Sequence, residues 1–364
     1  MKVKEIIGHL ESKAPLILQE DYDNSGLLIG SVDDEISGVL LCLDINEAIL
    51  QEAVRRKCNM IISHHPVIFK GMKQLTGKDL TQRIVITAIR ENIAIYAIHT
   101  NLDNSLKGLN ALLMDKIGVK NHRIIVRKEN FLSKLVTFAP LDFAGKVRDS
   151  LFEAGAGHIG NYDHCSYNIT GQGTFRASEH ANPFVGERNQ LHIEDETRIE
   201  VVFPSYLHRR LIVALIKSHP YEEVAYDIYP LSNDYQMAGA GILGELENAM
   251  NVIEFLSVVK SITGAGVIRH TAMGNEIIRK VATCTGSGSF LIPDVIGAGA
   301  DIFLTADLKY HDFFQPEGKL ILADIGHYES EQFVKEWIYN ALIEKFPTFA
   351  ILISETNTNP IKYY

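Results

Sequence analysis

Residues 320–331 read LILADIGHYESE: an apolar run over 320–325, a glycine at 326, then His327 and Glu331 four residues apart where an amphipathic helix opens. Positions i and i+4 share one helix face, so an imidazole and a carboxylate are delivered to a single point. Two other apolar runs end in the same way. Residues 59–62 lead into Ser63-His64-His65-Pro66, and residues 93–98 lead into His99-Thr100-Asn101-Leu102-Asp103. Three apolar strands that each carry His, Asp or Glu at the C-terminal end predict one shared site, because open α/β sheets keep their chemistry at that edge. Asp44, after SGVLLCL at 37–43, and Asp307 with His311, after 301–306, fall at the same edge.

Outward from these runs, helices and strands alternate. The periodicity predicts a helix over 2–12, a strand at 37–43, a helix from an Asn46 cap to about residue 57 and a strand at 59–63. A helix over 80–91, a strand at 93–99 and a helix over 105–117 follow. Continuous apolar strands between helices indicate an α/β fold with a parallel or mixed sheet covered on both faces. The pattern changes after about residue 125. Strand 133–139, helix 143–154, strand 167–175, a polar loop over 176–195, strand 198–203, helix 206–217 and strand 223–229 have the order of a ferredoxin-like α+β module. Alternation then resumes, with strands at 266–269, 279–284, 301–305 and 319–325 and helices from 251, over 289–297 and over 329–345. The organisation expected is a discontinuous core, 1–131 with 233–364, and an inserted domain, 132–232, with 232–240 as the return linker.

The chain has 364 residues, 46% hydrophobic, enough for a large core. No apolar run approaches the roughly 20 residues of a membrane span. The opening MKVKEIIGHLESKAP lacks the apolar core of a secretion signal, so a cytoplasmic protein is expected. Cys42, Cys58, Cys165 and Cys284 are far apart and form no CxxC pair, as expected of reduced thiols. The net charge of −10 leaves only short basic clusters, Arg55-Arg56-Lys57 and Arg209-Arg210, which argues against a grip on nucleic acid.

Each cluster admits two readings. Adjacent histidines on an extended segment point to opposite sides, so His64 and His65 suit two ions side by side. Otherwise one is a hydrogen-bonded core histidine and the other is exposed. Asp103 is a ligand with His99 or a turn-former. His327 and Glu331 hold a metal or pair on a helix surface. Their coincidence on one edge favours the metal reading. An imidazole and carboxylate shell without thiolate favours two divalent transition-metal ions, Zn foremost, with Mn, Fe or Co as alternatives. Ions about 3.5–4 Å apart support metal-assisted hydrolysis. Gly286-Ser287-Gly288-Ser289, between a strand and a helix, is either an anion cradle or a tight turn.

The motifs YDNSGLLIG (22–30), MIISHHPVIFKG (60–71), AIHTNLDNS (97–105), CTGSGSF (284–290), TADLKYHD (305–312) and DIGHYESE (324–331) resemble those of the NIF-three-like proteins, across almost the whole chain. That resemblance implies a mixed-sheet, three-layer core that binds two metals through His64, His65, Asp103, His327 and Glu331, with Glu331 as the bridge. His99 would stand beside the site as ligand neighbour or proton shuttle. The segment at 132–232, with HPYEEVAYDIYPL at 219–231, resembles a PII-like or CutA-like module. The family is often labelled GTP cyclohydrolase type two, and the resemblance implies a homo-hexamer of two trimers. Tyr22 stands where the family commonly has tryptophan, and Ala306 where it has glycine. Neither is among the expected ligands.

Two functions are expected from these features. One is a dinuclear-metal hydrolase acting on a small molecule or nucleotide, with His99, Asp307 and His311 moving protons. The other is a non-catalytic metal-binding scaffold or carrier with a ligand-sensing insert.

Overall fold

The computed structural model describes residues 1–272 and 276–364. The chain divides into two compact units, one formed by Met1–Val126 with Met237–Tyr364, the other by Arg127–Gln236. The fold is mixed α/β.

The first unit contains two mixed sheets. One orders its strands Gly26–Ile29, Ala94–Ala97, Met60–Ser63, Val39–Cys42 and Ile351–Ile353. The last four run parallel and the first is antiparallel to its neighbour. The other orders Arg269–His270, Ile321–Asp324, Ile302–Ala306, Ile277–Ser287, Tyr235–Asn251 and Val119–Lys128, with a parallel trio from Ile277–Ser287 to Ile321–Asp324. The sequence predicted one sheet edge. Instead, His64, His65, His99 and Asp103 follow strands of the first sheet, and Asp307, His327 and Glu331 follow strands of the second.

Each sheet is the middle of three layers, because its strands are apolar on both faces. In the first, Leu41, Ile62 and Tyr96 pack with helices Val3–Lys13 and Val334–Lys345. Leu40, Ile61 and Ile95 face Glu47–Arg55 and Leu80–Arg90. In the second, Val281, Leu304 and Ala323 pack with Leu109–Lys116 and Val252–Thr263. Ala282, Phe303 and Leu322 face the short helix Ile292–Gly297. Asn46 and Asp79 cap their helices by accepting from Ile49 N and Gln82 N at 3.0 and 2.9 Å.

Several expected elements differ. The helix expected over 329–345 is broken into His327–Glu331 and Val334–Lys345, and a single helical turn, Thr100–Asp103, precedes Leu109–Lys116. Residues 235–240 of the expected linker belong to the long strand Tyr235–Asn251. The polar loop ends early, at the start of strand Leu191–Pro204.

The second unit is a four-stranded antiparallel sheet ordered Tyr167–Arg176, Leu191–Pro204, Leu132–Pro140, Tyr226–Leu231. Helices Leu141–Glu153 and His208–Ser218 cover one face through Leu135, Val147, Ile199, Phe203 and Leu211. No disulfide joins the cysteines, of which Cys42, Cys58 and Cys284 are buried. Among the described residues, no helix is long and apolar enough to cross a membrane.

Candidate metal centre

The ligand candidates follow the C-terminal ends of parallel strands. His64 N and His65 N donate to Leu43 O at 3.2 and 3.1 Å, while Ser63 Oγ closes the turn onto His65 O at 2.8 Å. Pro66 then stops the ladder. After strand Ala94–Ala97, His99 starts the turn that carries Asp103. After Ile321–Asp324, Gly326 takes φ +89° and opens the turn His327–Glu331. That φ favours glycine, so the chain reverses there at little cost.

Four imidazoles converge, each tethered through Nδ1. His64 Nδ1 meets Ile98 O at 2.8 Å, His65 Nδ1 meets Asp44 Oδ1 at 2.7 Å, His99 Nδ1 meets Asp23 Oδ1 at 2.7 Å and His327 Nδ1 meets Asp307 Oδ2 at 2.7 Å. These partners only accept, so Nδ1 carries the proton and each Nε2 presents a lone pair. This is the orientation device of metal-binding histidines. Glu331 Oε2 lies 3.0 Å from both His65 Nε2 and His327 Nε2. Its Oε1 lies 3.8 Å from His64 Nε2, which is 3.6 Å from Asp103 Oδ1. Glu331 thus spans two groups of donors. His64, His65 and His99 form one set able to hold an ion, and His65, His327 and Glu331 form another, with His65 common to both.

The electrostatics point the same way. His64 Nε2, Asp103 Oδ1 and Glu331 Oε2 are buried without a hydrogen-bond partner, and buried polar atoms are seldom left so. His65 Nε2 and His327 Nε2 stand 3.3 Å apart, a separation that two lone pairs tolerate only with a proton or cation between them. Burial opposes a charge on His65, but Asp44 and Glu331 outweigh it and raise its pKa to about 9. Burial likewise opposes His327, yet Asp307 and Glu331 raise it to about 11. His64 goes the other way: burial dominates and lowers it to about 4. Burial and the neighbouring Glu331 hold Asp103 well above the carboxylate range, whereas the close approach of His327, His64 and His65 overcomes burial and holds Glu331 well below it. A cation between these donors satisfies all of them. The residues fit bound metal ions.

A cleft of about 600 Å³ opens beside these donors, lined by His65, His99, Asp103, His327 and Glu331, with Tyr22 and Phe290 among its exposed aromatics. Gly286, at φ +64°, lies against the ligands, and a Cβ there would strike the Glu331 carboxylate. Its amide donates to Ser330 Oγ at 2.9 Å, so the glycine turn packs the ligand helix, and that amide is not available to an anion.

Seven of the eight expected residues meet here, in different roles. His64, His65, His99, Asp103, His327 and Glu331 converge. Asp307 holds His327 from outside the cleft. A left-handed φ of 56° at Asp307 turns its chain back onto that ring. His311 sits exposed on the short helix Tyr310–Phe314, against Tyr310 and Phe314, and is not among the residues that line the cleft. Asp23 was missed. It binds His99 and also accepts from Thr100 N at 3.1 Å and Ser25 Oγ at 2.8 Å. Thr358, also missed, donates to Asp44 Oδ2 at 2.9 Å. The only signal for Asp23 was its place in the YDNSG motif.

The same arrangement of chain is found in known proteins. The chain is 35% identical to the GTP cyclohydrolase 1 type 2 homolog of Bacillus subtilis, over 99% of this chain and 98% of that one. It is 34% identical to the protein of that name from Staphylococcus epidermidis, with both chains fully covered. Its fold is similar to a Bacillus cereus protein related to NIF3, at a TM-score of 0.89 and 34% identity over 100% of this chain and 99% of that chain. A Staphylococcus aureus protein gives 0.77 at 30% identity with the same coverage. The family model for Duf34/NIF3 (NGG1p interacting factor 3) matches residues 1–360. With relatives of this identity aligned end to end and the family model spanning both units, the chain belongs to the Duf34/NIF3 family.

Proposed function

We propose that this protein is a dinuclear-metal-dependent hydrolase acting on a small molecule, with nucleotides as the first class to test. The observation that carries the reading is the set of buried, unpartnered atoms, His64 Nε2, Asp103 Oδ1 and Glu331 Oε2, beside a cleft that Asp103 and Glu331 line. His64, Asp103, His65 and His327 would hold the ions, with Glu331 between them. When bound, such a pair supplies Lewis-acid polarisation and a water activated near neutral pH. The chain's own residues do the rest. Asp44, Asp307 and Ile98 O fix the ring orientations. His99 lines the cleft with Nδ1 secured by Asp23, so its Nε2 is the group placed to take or return a proton. The cleft volume suits a small molecule rather than a polymer. The name carried by the relatives motivates GTP as one candidate within the nucleotide class.

The test measures transition-metal content of the untagged chain and of a His327→Ala, Glu331→Ala variant, followed by hydrolysis of a nucleotide panel. About two ions per chain, lost in the variant together with turnover, is the expected result. Metal bound without turnover on any substrate would support the scaffold reading instead. Failure of the wild type to take up Zn, Mn, Fe or Co would overturn both.

A further inference from the structure

The inserted unit has a cleft of its own, about 720 Å³. It lies on the sheet face opposite the two helices. Along strand Leu191–Pro204, Ile199, Val201 and Phe203 enter the helix-covered core. Strand alternation then places Glu196, Arg198 and Glu200 on the other face.

The charges there are unevenly paired. Arg198 lies across from Phe138 in register, its guanidinium 5.9 Å from the ring, and donates Nε to Glu200 at 2.9 Å. Lys134 completes Glu200 at 2.9 Å. Glu196 is only 9% exposed, yet no cation meets it among the described residues. Its Oε1 accepts from Tyr221 Oη at 2.9 Å, and no donor among the described residues reaches Oε2. Glu196 thus presents a carboxylate oxygen to the cleft with no cation among the described residues to meet it.

The strand beside it is cut away to leave it accessible. Gly171 pairs with Glu196 in register, and a Cβ there would meet open space. A Cβ on Gly173 would strike the Glu196 carboxylate. Neither glycine has a left-handed φ, so the missing side chain is the reason for them. Glycines inside a strand weaken it and mark close approach of another group. Phe175, Phe184 and Tyr221 wall the cleft, with Tyr221 6.3 Å from each of the other two rings. The 219–221 turn fixes Tyr221: His219 Nε2 binds Phe138 O at 2.8 Å and its Nδ1 accepts from Tyr221 N at 3.1 Å.

We propose that this cleft binds an organic cation. An ammonium, amidinium or guanidinium head pairs with Glu196, and an apolar or flat body lies against the aromatic wall, whose ring faces attract cations. Glu222 and Glu223 also line it, so carboxylates outnumber the guanidiniums of Arg176 and Arg198.

The test is isothermal titration of the full chain with benzamidine, benzyl alcohol and benzoate. Saturable benzamidine binding is expected, with the neutral and anionic analogues weaker by about ten-fold or more. Glu196→Gln should lower benzamidine affinity by a similar factor, while Tyr221→Phe, which keeps ring and carboxylate, should retain it. If Glu196→Gln loses its native circular dichroism, Gly173→Ala, which presses on the carboxylate, takes its place with the same drop expected. No benzamidine binding to the wild type, equal binding to the variant, or tighter binding of benzoate would overturn the proposal.

Discussion

Each imidazole of the centre is used at both nitrogens, one spent on orientation and the other left for a ligand. Changing Asp44 or Asp307 to Asn keeps the shape but allows the amide to present a donor, which favours the wrong ring tautomer. Metal affinity should fall about 10–100-fold, measured by competition with a chromogenic chelator, while circular dichroism stays unchanged. Protons substitute for the cation in metal-stripped protein. His65 and His327 have folded pKa values raised from 6.5 to about 9 and about 11. Their stabilisation is complete below pH 6.5 and is lost as pH rises through those values. His64, lowered to about 4, contributes stability above pH 6.5 that is lost as pH falls towards 4. The urea midpoint of stripped wild type should therefore exceed that of His327→Gln near pH 6.5, and the gap should narrow as pH rises and close through about 11. A gap independent of pH would count against the charged pair. The ligand candidates themselves were legible because each ends an apolar run. Asp23 was not, since it lies in irregular chain 76 positions from His99, and no spacing rule reaches that far.

At the scale of elements, helix Glu47–Arg55 anchors the segment that backs Asp44. Glu52 is buried and accepts from Ser354 Oγ at 2.6 Å, Thr356 Oγ1 at 2.7 Å, Glu355 N at 3.0 Å and Arg56 Nη1 at 2.9 Å. Burial alone would raise its pKa, but these donors lower it to about 2. Its contribution is present above the ordinary value of 4.5 and fades as pH falls towards 2. Glu52→Ala leaves the donors buried and unmet and should cost about 3 kcal/mol in denaturant unfolding at pH 7, shrinking below pH 4. Two strand segments were not legible in the sequence, each for its own reason. Strand Tyr235–Asn251 carries glycines that suggest a linker. Gly244 is there because a Cβ would meet Lys120 O and Val119 Cγ1, both at 2.6 Å, on the neighbouring strand. The start of Leu191–Pro204 alternates weakly because Leu191 and Ile193 are both exposed, at 72% and 56%, so no buried face disciplines its pattern. The parallel strands were legible because burial on both faces makes them apolar throughout.

For the molecule as a whole, the division of the parallel strands between two sheets was invisible in the sequence: hydrophobic runs report burial and not which neighbour supplies it. Strand Tyr167–Arg176 forms an edge of the inserted sheet with Tyr167 and Ile169 exposed. It carries no lysine or proline to blunt pairing. Self-association is the expected outcome, and light scattering should give a multiple of the 40.6 kDa chain, six copies by the family resemblance. A monomer at micromolar concentration would contradict it.

The separation of the donors also has a consequence in time. His65 and His327 lie 262 residues apart. On a ribosome adding about 5–20 residues per second, roughly 13–50 s pass between them. His64, His65 and His99, with Ile98 O, Asp44 and Asp23 to orient them, belong to the part translated first. Glu331 and His327 arrive only after the whole inserted unit, and Thr358 later still. The two groups of donors are therefore born in sequence: a nascent chain carries His64, His65 and His99 long before His327 and Glu331 exist to complete the second group.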